Sequence, residues 1–178
     1  MTFDEIYTTY GKRILNLAFR LVDDEEVARD LTQDVFLKVY QSLSEFNHRS
    51  HIYTWIYRIA INHFINYLKR EKRRRWLSIM DNKVIDLVTS DGASQLYSNP
   101  PQPDHLIEKS ERDNIVLALV NSLPLKYRIP LVLQRYDGMS TKEIATTLNL
   151  TVSAVETRIH RAKQKLIKKL EPWIKHLK

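Results

Sequence analysis

Apolar residues recur every three or four positions along most of the chain, and this spacing predicts helices rather than strands. A first helix begins after Thr2, because Thr2-x-x-Glu5 has the form of a capping box. Asp23 and Asp24 interrupt the apolar pattern and suit the cap of a second helix that extends to about Ser42. The predicted apolar face of the first helix consists of Phe3, Ile6, Tyr7, Tyr10, Ile14, Leu17, Ala18 and Leu21.

A third helix is predicted from about Ser50, with one apolar and one polar face. Its apolar face contains Ile52, Trp55, Ile56, Ile59, Ala60, Phe64, Tyr67 and Leu68. The polar face carries amides and cations, which suit base edges and phosphates, at Arg58, Asn62, Asn66, Lys69 and Arg73. Tyr53 and Tyr57 lie nearby and suit stacking on unpaired bases. A polar face is also typical of any solvated helix, so these residues alone leave both interpretations open.

The helical pattern stops after a basic run, KREKRRR, at residues 69–75. Between Ser78 and Asp104 the periodicity is lost, and glycine and proline interrupt the chain. We therefore predict an all-α protein of two small helical domains, residues 1–77 and 105–178, joined by a flexible linker at 78–104.

The second domain has the pattern of a helix-turn-helix. Ser140-x-x-Glu143 is another capping box, and it opens a short helix that is followed by a turn and a longer helix. From Ser153 to Lys178 the longer helix carries eight Lys and Arg against two acidic residues. The alternative is an ordinary helical hairpin with a solvated basic face. DNA binding is favoured because a row of apolar residues between the two helices, the turn and the positive charge occur together.

A third candidate surface lies in the second helix, in the segment DLTQDVFLKVY. Leu37 falls off the apolar stripe and is surrounded by polar residues, a pattern that indicates a partner site. Isolated exposed leucines are common, so the pattern is weak by itself. The exposed side of the segment consists of Asp30, Gln33, Asp34, Leu37 and Lys38.

Composition narrows the class of protein. The 178 residues include 28 Lys and Arg against 21 Asp and Glu, a formal charge of +7 that favours nucleic acid or an acidic membrane surface as partner. No cysteine is present, which excludes disulfides and thiolate metal sites. The six histidines are scattered, and no glycine-rich phosphate loop occurs, so we expect no enzyme, metal or cofactor. Without a signal-peptide pattern, we expect a cytoplasmic protein.

Three segments occur in an order and spacing that resemble a known family. They are DLTQDVFLKVY, FNHRSHIYTWIYRIAINHFINYLKREKRR and LPLKYRIPLVLQRYDGMSTKEIATTLNLTVSAVETRIHRAKQKL. With them the chain resembles the extracytoplasmic-function (ECF) sigma factors of bacterial RNA polymerase, within the sigma-70-type family. It departs from the family at Ile52, where an aromatic residue is usual, and at Ser153–Glu156, where Gly-Thr-Val-Lys is frequent.

The resemblance implies an alternative sigma factor without a reaction of its own. Its partners would be core RNA polymerase, bound at the clamp of the largest subunit, promoter DNA and an anti-sigma factor. The segment that contains Leu37 would dock on the polymerase. The −10 element would be recognised and melted by Phe46, Asn47, His48, Arg49, Tyr53, Tyr57, Arg58, Asn62, Asn66, Lys69 and Arg73. A base flipped out of the stack would enter the loop at residues 46–51, beside Asn62.

The −35 element would be bound by Glu156, Thr157, Arg158, His160, Arg161, Lys163 and Lys165. Glu156 has two interpretations. If Ser153 caps the helix, Ser153-x-x-Glu156 is a capping box and the glutamate is structural. If Thr151 is the cap, as the family resemblance implies, Glu156 lies in the second turn and can accept a hydrogen bond from a cytosine.

The strongest rival is a helix-turn-helix regulator with an N-terminal effector or dimerisation domain, which would bind DNA without polymerase. The docking and melting segments argue against it. A basic membrane-surface protein is a weaker rival, because the basic tract lacks an amphipathic apolar face.

Overall fold

The computed structural model describes residues 1–47, 50–85 and 109–175 of the chain. In these ranges it contains α-helices and one 3₁₀ turn, and no strand. The helices are α1 (Phe3–Val22), α2 (Glu25–Ser42), α3 (Ile52–Ile85), α4 (Lys109–Asn121), α5 (Leu125–Tyr136), α6 (Thr141–Leu148) and α7 (Val152–Lys175), and the 3₁₀ turn is Leu43–Glu45. The predicted all-α fold is confirmed.

Local hydrogen bonds start the first two helices where the sequence predicts. Thr2 Oγ1 accepts a bond from the Glu5 amide at 3.3 Å, and the Glu5 carboxylate accepts one from the Thr2 amide at 2.8 Å. Asp24 Oδ1 accepts a bond from the Val27 amide at 3.0 Å. These bonds satisfy amides that have no partner within the helix, so the caps fix both helix starts.

The N-terminal half is built from α1, α2 and the first part of α3, which pack on one another. Ile6, Leu17, Val35 and Phe64 are among the fully buried side chains at its centre. Tyr7 lies on the predicted apolar face of α1 but is 53% exposed. Its ring contacts those of Phe3 and Phe36, with centroids 6.3 Å and 4.9 Å away, so it is only partly covered.

Helix α3 is longer than its pattern predicts. It continues to Ile85 and is 34 residues long, or about 50 Å. Residues 78–85, predicted as the start of the linker, are therefore helical. This segment contains neither glycine nor proline, so nothing in it interrupts the backbone hydrogen bonds. The rest of the predicted linker, residues 86–104, lies outside the described residues.

The C-terminal half contains the predicted helix-turn-helix, formed by α6 and α7. The Ser140–Glu143 capping box that opens α6 is present, with the Glu143 amide 3.3 Å from Ser140 Oγ. Asn149 ends α6 in the left-handed region, with φ 52°, and turns the chain into α7. Helix α5 packs across α7 and closes the core of this half.

The two halves are in contact. Helix α3 packs on α6, while α1 packs on α4 and α5. Their buried apolar residues form one continuous cluster. As a result, part of each half's surface is covered by the other.

Candidate partner and nucleic-acid interfaces

Helix α2 presents a mixed polar and apolar surface to solvent. Its buried side chains are Ala28, Leu31, Thr32, Val35, Phe36 and Val39. All five residues predicted to face the polymerase are exposed, namely Asp30, Gln33, Asp34, Leu37 and Lys38. Leu37 is 56% exposed, so it makes little contribution to the core and is available to a partner.

A histidine of α3 connects two residues of this surface. Lys38 Nζ donates to His63 Nδ1 at 2.7 Å, and His63 Nε2 lies 3.2 Å from Asp34 Oδ2. Because Nδ1 accepts, Nε2 carries the ring proton and donates to the carboxylate. Burial, together with the Lys38 charge, lowers the pKa of His63 and favours this neutral form. Sequence reasoning missed His63, since nothing in its spacing indicates which residues of another helix it meets.

Exposed aromatic rings adjoin the same surface. Tyr40 is 63% exposed, and its ring centroid lies 5.2 Å from that of Phe3 in an edge-on contact. Tyr7 packs its ring edge-on against Phe36, with centroids 4.9 Å apart. Sequence reasoning assigned these rings no functional role, although neighbouring exposed rings are typical of contact surfaces.

The predicted polar face of α3 is present. Arg58, Asn62, Asn66, Lys69 and Arg73 are all exposed, while Ile56, Ala60 and Phe64 are buried opposite them. In the loop before α3, the Phe46 ring packs on Trp55 with centroids 5.0 Å apart, and Asn47 is exposed. Two residues predicted for this site, His48 and Arg49, lie outside the described residues.

Tyr57 does not present a free ring. It is fully buried, and its hydroxyl donates to Asp137 Oδ1, in the turn before α6, at 2.7 Å. The half-buried Tyr53 ring lies between Tyr10 and Tyr57, 6.3 Å and 4.7 Å away between centroids. In this arrangement, a base has no access to Tyr57 because the C-terminal half covers it.

Two more contacts join α3 and α1 to the C-terminal half. The Arg58 guanidinium donates to the Thr146 carbonyl of α6 at 2.9 Å. Arg20 lies over the Tyr136 ring, 4.4 Å from its centroid. Burial raises the pKa of Tyr53 to about 12 and also raises the pKa of Asp137. The contact between the halves therefore contains a carboxylate removed from water.

We expect Tyr57→Phe to destabilise the chain by about 2 kcal/mol, because the change leaves the Asp137 carboxylate without its hydrogen-bond donor in a largely buried position. Asp137→Asn should be neutral or stabilising, since the amide still accepts from Tyr57 and carries no charge to desolvate. Thermal melting at neutral pH measures both changes. The exposed Tyr40→Phe is the matched control, and an equal effect of the two tyrosine changes would contradict the role of the hydrogen bond.

The start of α7 decides between the two interpretations of Glu156. Thr151 Oγ1 accepts a hydrogen bond from the Ala154 amide at 3.1 Å, and the helix begins at Val152. Thr151 is therefore the cap, and the interpretation of Glu156 as part of a capping box with Ser153 is wrong. Glu156 lies in the second turn and is exposed.

The rest of α7 places its predicted DNA-binding residues outward. Val155, Ile159 and Ala162 are buried against the domain. The exposed residues include Thr157, His160, Arg161, Lys163 and Lys165, and Arg158 is half-buried. This arrangement gives a basic helix face with a carboxylate near its start, which suits a duplex whose backbone is anionic and whose base edges offer hydrogen-bond donors.

Other classes of site find little support in the described parts of the chain. They contain no group of three or more His, Cys, Asp or Glu side chains that could hold a metal ion. No helix among them is long and apolar enough to cross a membrane.

Comparison with known proteins identifies both halves. Residues 6–74 match the family model for Sigma-70 region 2, and residues 113–166 match that for Sigma-70 region 4. The chain is 34% identical to the ECF RNA polymerase sigma-E factor of Escherichia coli K12 over 173 residues, covering 97% of this chain and 88% of that protein. It is 32% identical to the RNA polymerase sigma-H factor of Pseudomonas aeruginosa over the same length, with the same shares covered.

Two solved structures share the fold of this chain. CnrH in complex with the cytosolic domain of CnrY matches with a TM-score of 0.66 at 23% identity, covering 95% of this chain and 87% of that one. The sigma factor RpoE from Bartonella quintana, in complex with the anti-sigma factor NepR, matches with a TM-score of 0.65 at 20% identity, covering 95% and 96%. The sequence identities and the two matched regions show that the chain belongs to the ECF sigma factors, alternative sigma factors that direct RNA polymerase to promoters.

Proposed function

We propose that the three exposed surfaces divide the work of this sigma factor. The α2 surface around Leu37 docks on the clamp of the largest polymerase subunit. The polar face of α3 and the loop before it capture the −10 element, and α7 reads the −35 element. The observation that carries the proposal is the exposure of Leu37 among polar neighbours, on a helix whose other aliphatic side chains are mostly buried.

The two halves act as separate units on a promoter. The −10 and −35 elements lie about 25 base pairs apart, which is about 85 Å of B-form DNA at 3.4 Å per base pair. While the two halves of the chain remain in contact, they do not span the distance between the two promoter elements. Residues 1–77 and 105–178 therefore separate when promoter DNA is bound, with the intervening chain as the connection. Separation frees Tyr57 and Arg58 for the DNA, at the cost of the contacts with Asp137 and Thr146.

The chain acts in the cytoplasm and catalyses no reaction of its own, since the polymerase supplies the chemistry. An anti-sigma protein restrains it until an inducing signal arrives. The fold match to RpoE bound to the anti-sigma factor NepR supports this part of the proposal.

Run-off transcription with purified core polymerase and a promoter library tests the proposal. We expect transcripts that depend on the chain and on both promoter elements. A regulator that works without polymerase docking would instead bind duplex DNA equally well with or without the enzyme. A chain that fails to start transcription on any promoter, although it binds DNA by itself, would support that alternative.

Asn62→Ala tests the −10 assignment. Because its amide is exposed on the polar face of α3, we expect it to stabilise an unstacked base by about 1–3 kcal/mol, the discrimination of a specific base contact. Its loss should reduce open-complex formation, measured by permanganate reactivity of the melted strand, with little effect on holoenzyme assembly. Asn16→Ala, an exposed asparagine on α1, is the matched control. Equal reactivity in both variants would show that Asn62 does not contact the melted strand.

A further inference from the structure

Three cations from two helices gather around one tyrosine of the C-terminal half. Tyr127 lies in the first turn of α5, with Lys126 Nζ 5.0 Å and Lys165 Nζ 5.9 Å from its ring centroid. Arg161 and Lys126, which lie beside the Tyr127 hydroxyl, lower the pKa of the phenol. Lys126, Tyr127, Arg161 and Lys165 form what we call the Tyr127 cluster.

Among the side chains that the structure describes, no carboxylate forms an ion pair with these cations. Lys126, Arg161 and Lys165 are all exposed. The ion pairs found in the described parts of the chain join Arg29 to Glu25, His63 to Asp34 and Arg74 to Glu71, all of them in the N-terminal half. Like charges brought together by a fold repel each other, and cation–π contacts with a single ring offset only part of that repulsion. An anion in contact with the cluster would remove the remaining repulsion.

The cluster lies beside the proposed −35 surface and outside its centre. On a helix of 3.6 residues per turn, Arg161 and Lys165 fall on the flank of α7 that meets α5, while Glu156 and Lys163 fall on the opposite flank. Lys165 is thirteen residues beyond Val152, so it lies roughly 20 Å along α7 from its start. The major groove is only about 8.5 Å deep. With the start of α7 in the groove, Lys165 and the Tyr127 ring beside it are level with the sugar–phosphate backbone and too far from the base edges to read them.

We propose that the Tyr127 cluster binds a backbone phosphate of promoter DNA at the edge of the −35 element, with Lys126 as a contact supplied by α5. Tyr127 is a positioning residue: its ring and hydroxyl hold the three cations in one place. This inference rests on the proposed function of α7, and it adds a second helix to the DNA-binding surface. A phosphate contact carries no sequence information, so the cluster raises affinity for every −35 sequence alike.

Lys126→Ala in the reconstituted holoenzyme tests the contact. Each phosphate neutralised contributes about 0.9 to the slope of log affinity against log salt. The variant should therefore lower that slope by about one unit, and lower promoter affinity by about fivefold at 0.15 M salt. Lys12→Ala removes the same charge from an exposed position on α1 and is the matched control. A slope equal to that of the control would overturn the proposal.

Tyr127→Phe tests the positioning role, because it keeps the ring and removes the hydroxyl that lies beside Arg161. We expect a lower affinity and a lower salt slope than in the unmodified protein, with an unchanged melting temperature. Unchanged affinity would overturn the positioning role of Tyr127, and so would an affinity loss that merely follows a lower melting temperature.

Lys163→Ala separates this proposal from the proposed function. If Lys163→Ala weakens promoter binding and Lys126→Ala does not, α7 binds the −35 element and the Tyr127 cluster does not take part. If neither change has an effect, the assignment of α7 itself fails. The free chain is also tested for binding of inorganic phosphate. If Lys126→Ala abolishes that binding and leaves promoter affinity unchanged, the cluster is a small-anion site and the proposal is overturned.

Discussion

Replacing Leu37 and Gln33 together by alanine should weaken binding of core RNA polymerase by about 30-fold. Truncation of central interface residues typically costs about 2 kcal/mol or more, and every 1.4 kcal/mol is a factor of ten in affinity. Leu37 is an exposed aliphatic residue of α2 among polar neighbours, which is the usual arrangement of such a centre. Because both side chains are exposed, the free energy of unfolding should change very little.

Titration of labelled chain with core polymerase measures the affinity, and circular dichroism measures helical content and melting temperature. The matched control is Gln164→Ala with Ile167→Ala, since α7 also exposes a glutamine and an aliphatic residue, Ile167 being 58% exposed. The control should bind polymerase normally. If the α2 variant instead loses helical content, Leu37 and Gln33 belong to the core and the docking assignment is wrong.

The features that sequence predicts best are those fixed by local contacts. The capping boxes at Thr2 and Ser140 each join residues three positions apart, so reading them requires no knowledge of the rest of the fold. Helical periodicity likewise places Leu37 outside the core, because the faces of α2 follow from its own spacing.

The features that sequence misses depend on contacts between distant residues. Tyr57 meets Asp137, 80 positions away. His63 bonds residues of another helix, 25 and 29 positions earlier. No local pattern distinguishes a tyrosine that stacks on a base from one covered by the other half of the chain. The end of α3 was missed for a different reason, because loss of apolar periodicity does not end a helix that contains no breaking residue.

Glu156 illustrates how one local contact decides a functional question. Both Thr151 and Ser153 are suitable cap residues, so sequence alone leaves the start of α7 at either of two places. The hydrogen bond from the Ala154 amide to Thr151 Oγ1 shows that Thr151 is the cap residue. The helix start then does not depend on Glu156, and its carboxylate is free to act on the outer surface of α7.

Glu156→Ala should relax −35 preference at a single base pair, by about 1–3 kcal/mol. A carboxylate repels phosphates, so an acidic residue on a basic DNA-binding face is costly unless it meets a donor. Cytosine N4 is such a donor in the major groove. With Glu156 and Thr157 near the bases, His160 and Arg161 would reach bases or adjacent phosphates, and Arg158, Lys163 and Lys165 would contact the backbone. Competition binding of the holoenzyme to all single-base variants of one −35 element measures the preference.

Two further variants separate base reading from the other roles of α7. Thr151→Ala should lower stability by about 1 kcal/mol, the usual cost of losing a cap, and leave base preference unchanged. Lys163→Ala should weaken binding to all −35 sequences about equally and lower the salt slope by about one unit. If Glu156→Ala behaves like Thr151→Ala, the glutamate stabilises the helix and reads nothing. If instead it tightens binding to every sequence equally, its carboxylate only repels the backbone. Only a loss confined to one position, with an unchanged melting temperature, supports a glutamate that reads a cytosine.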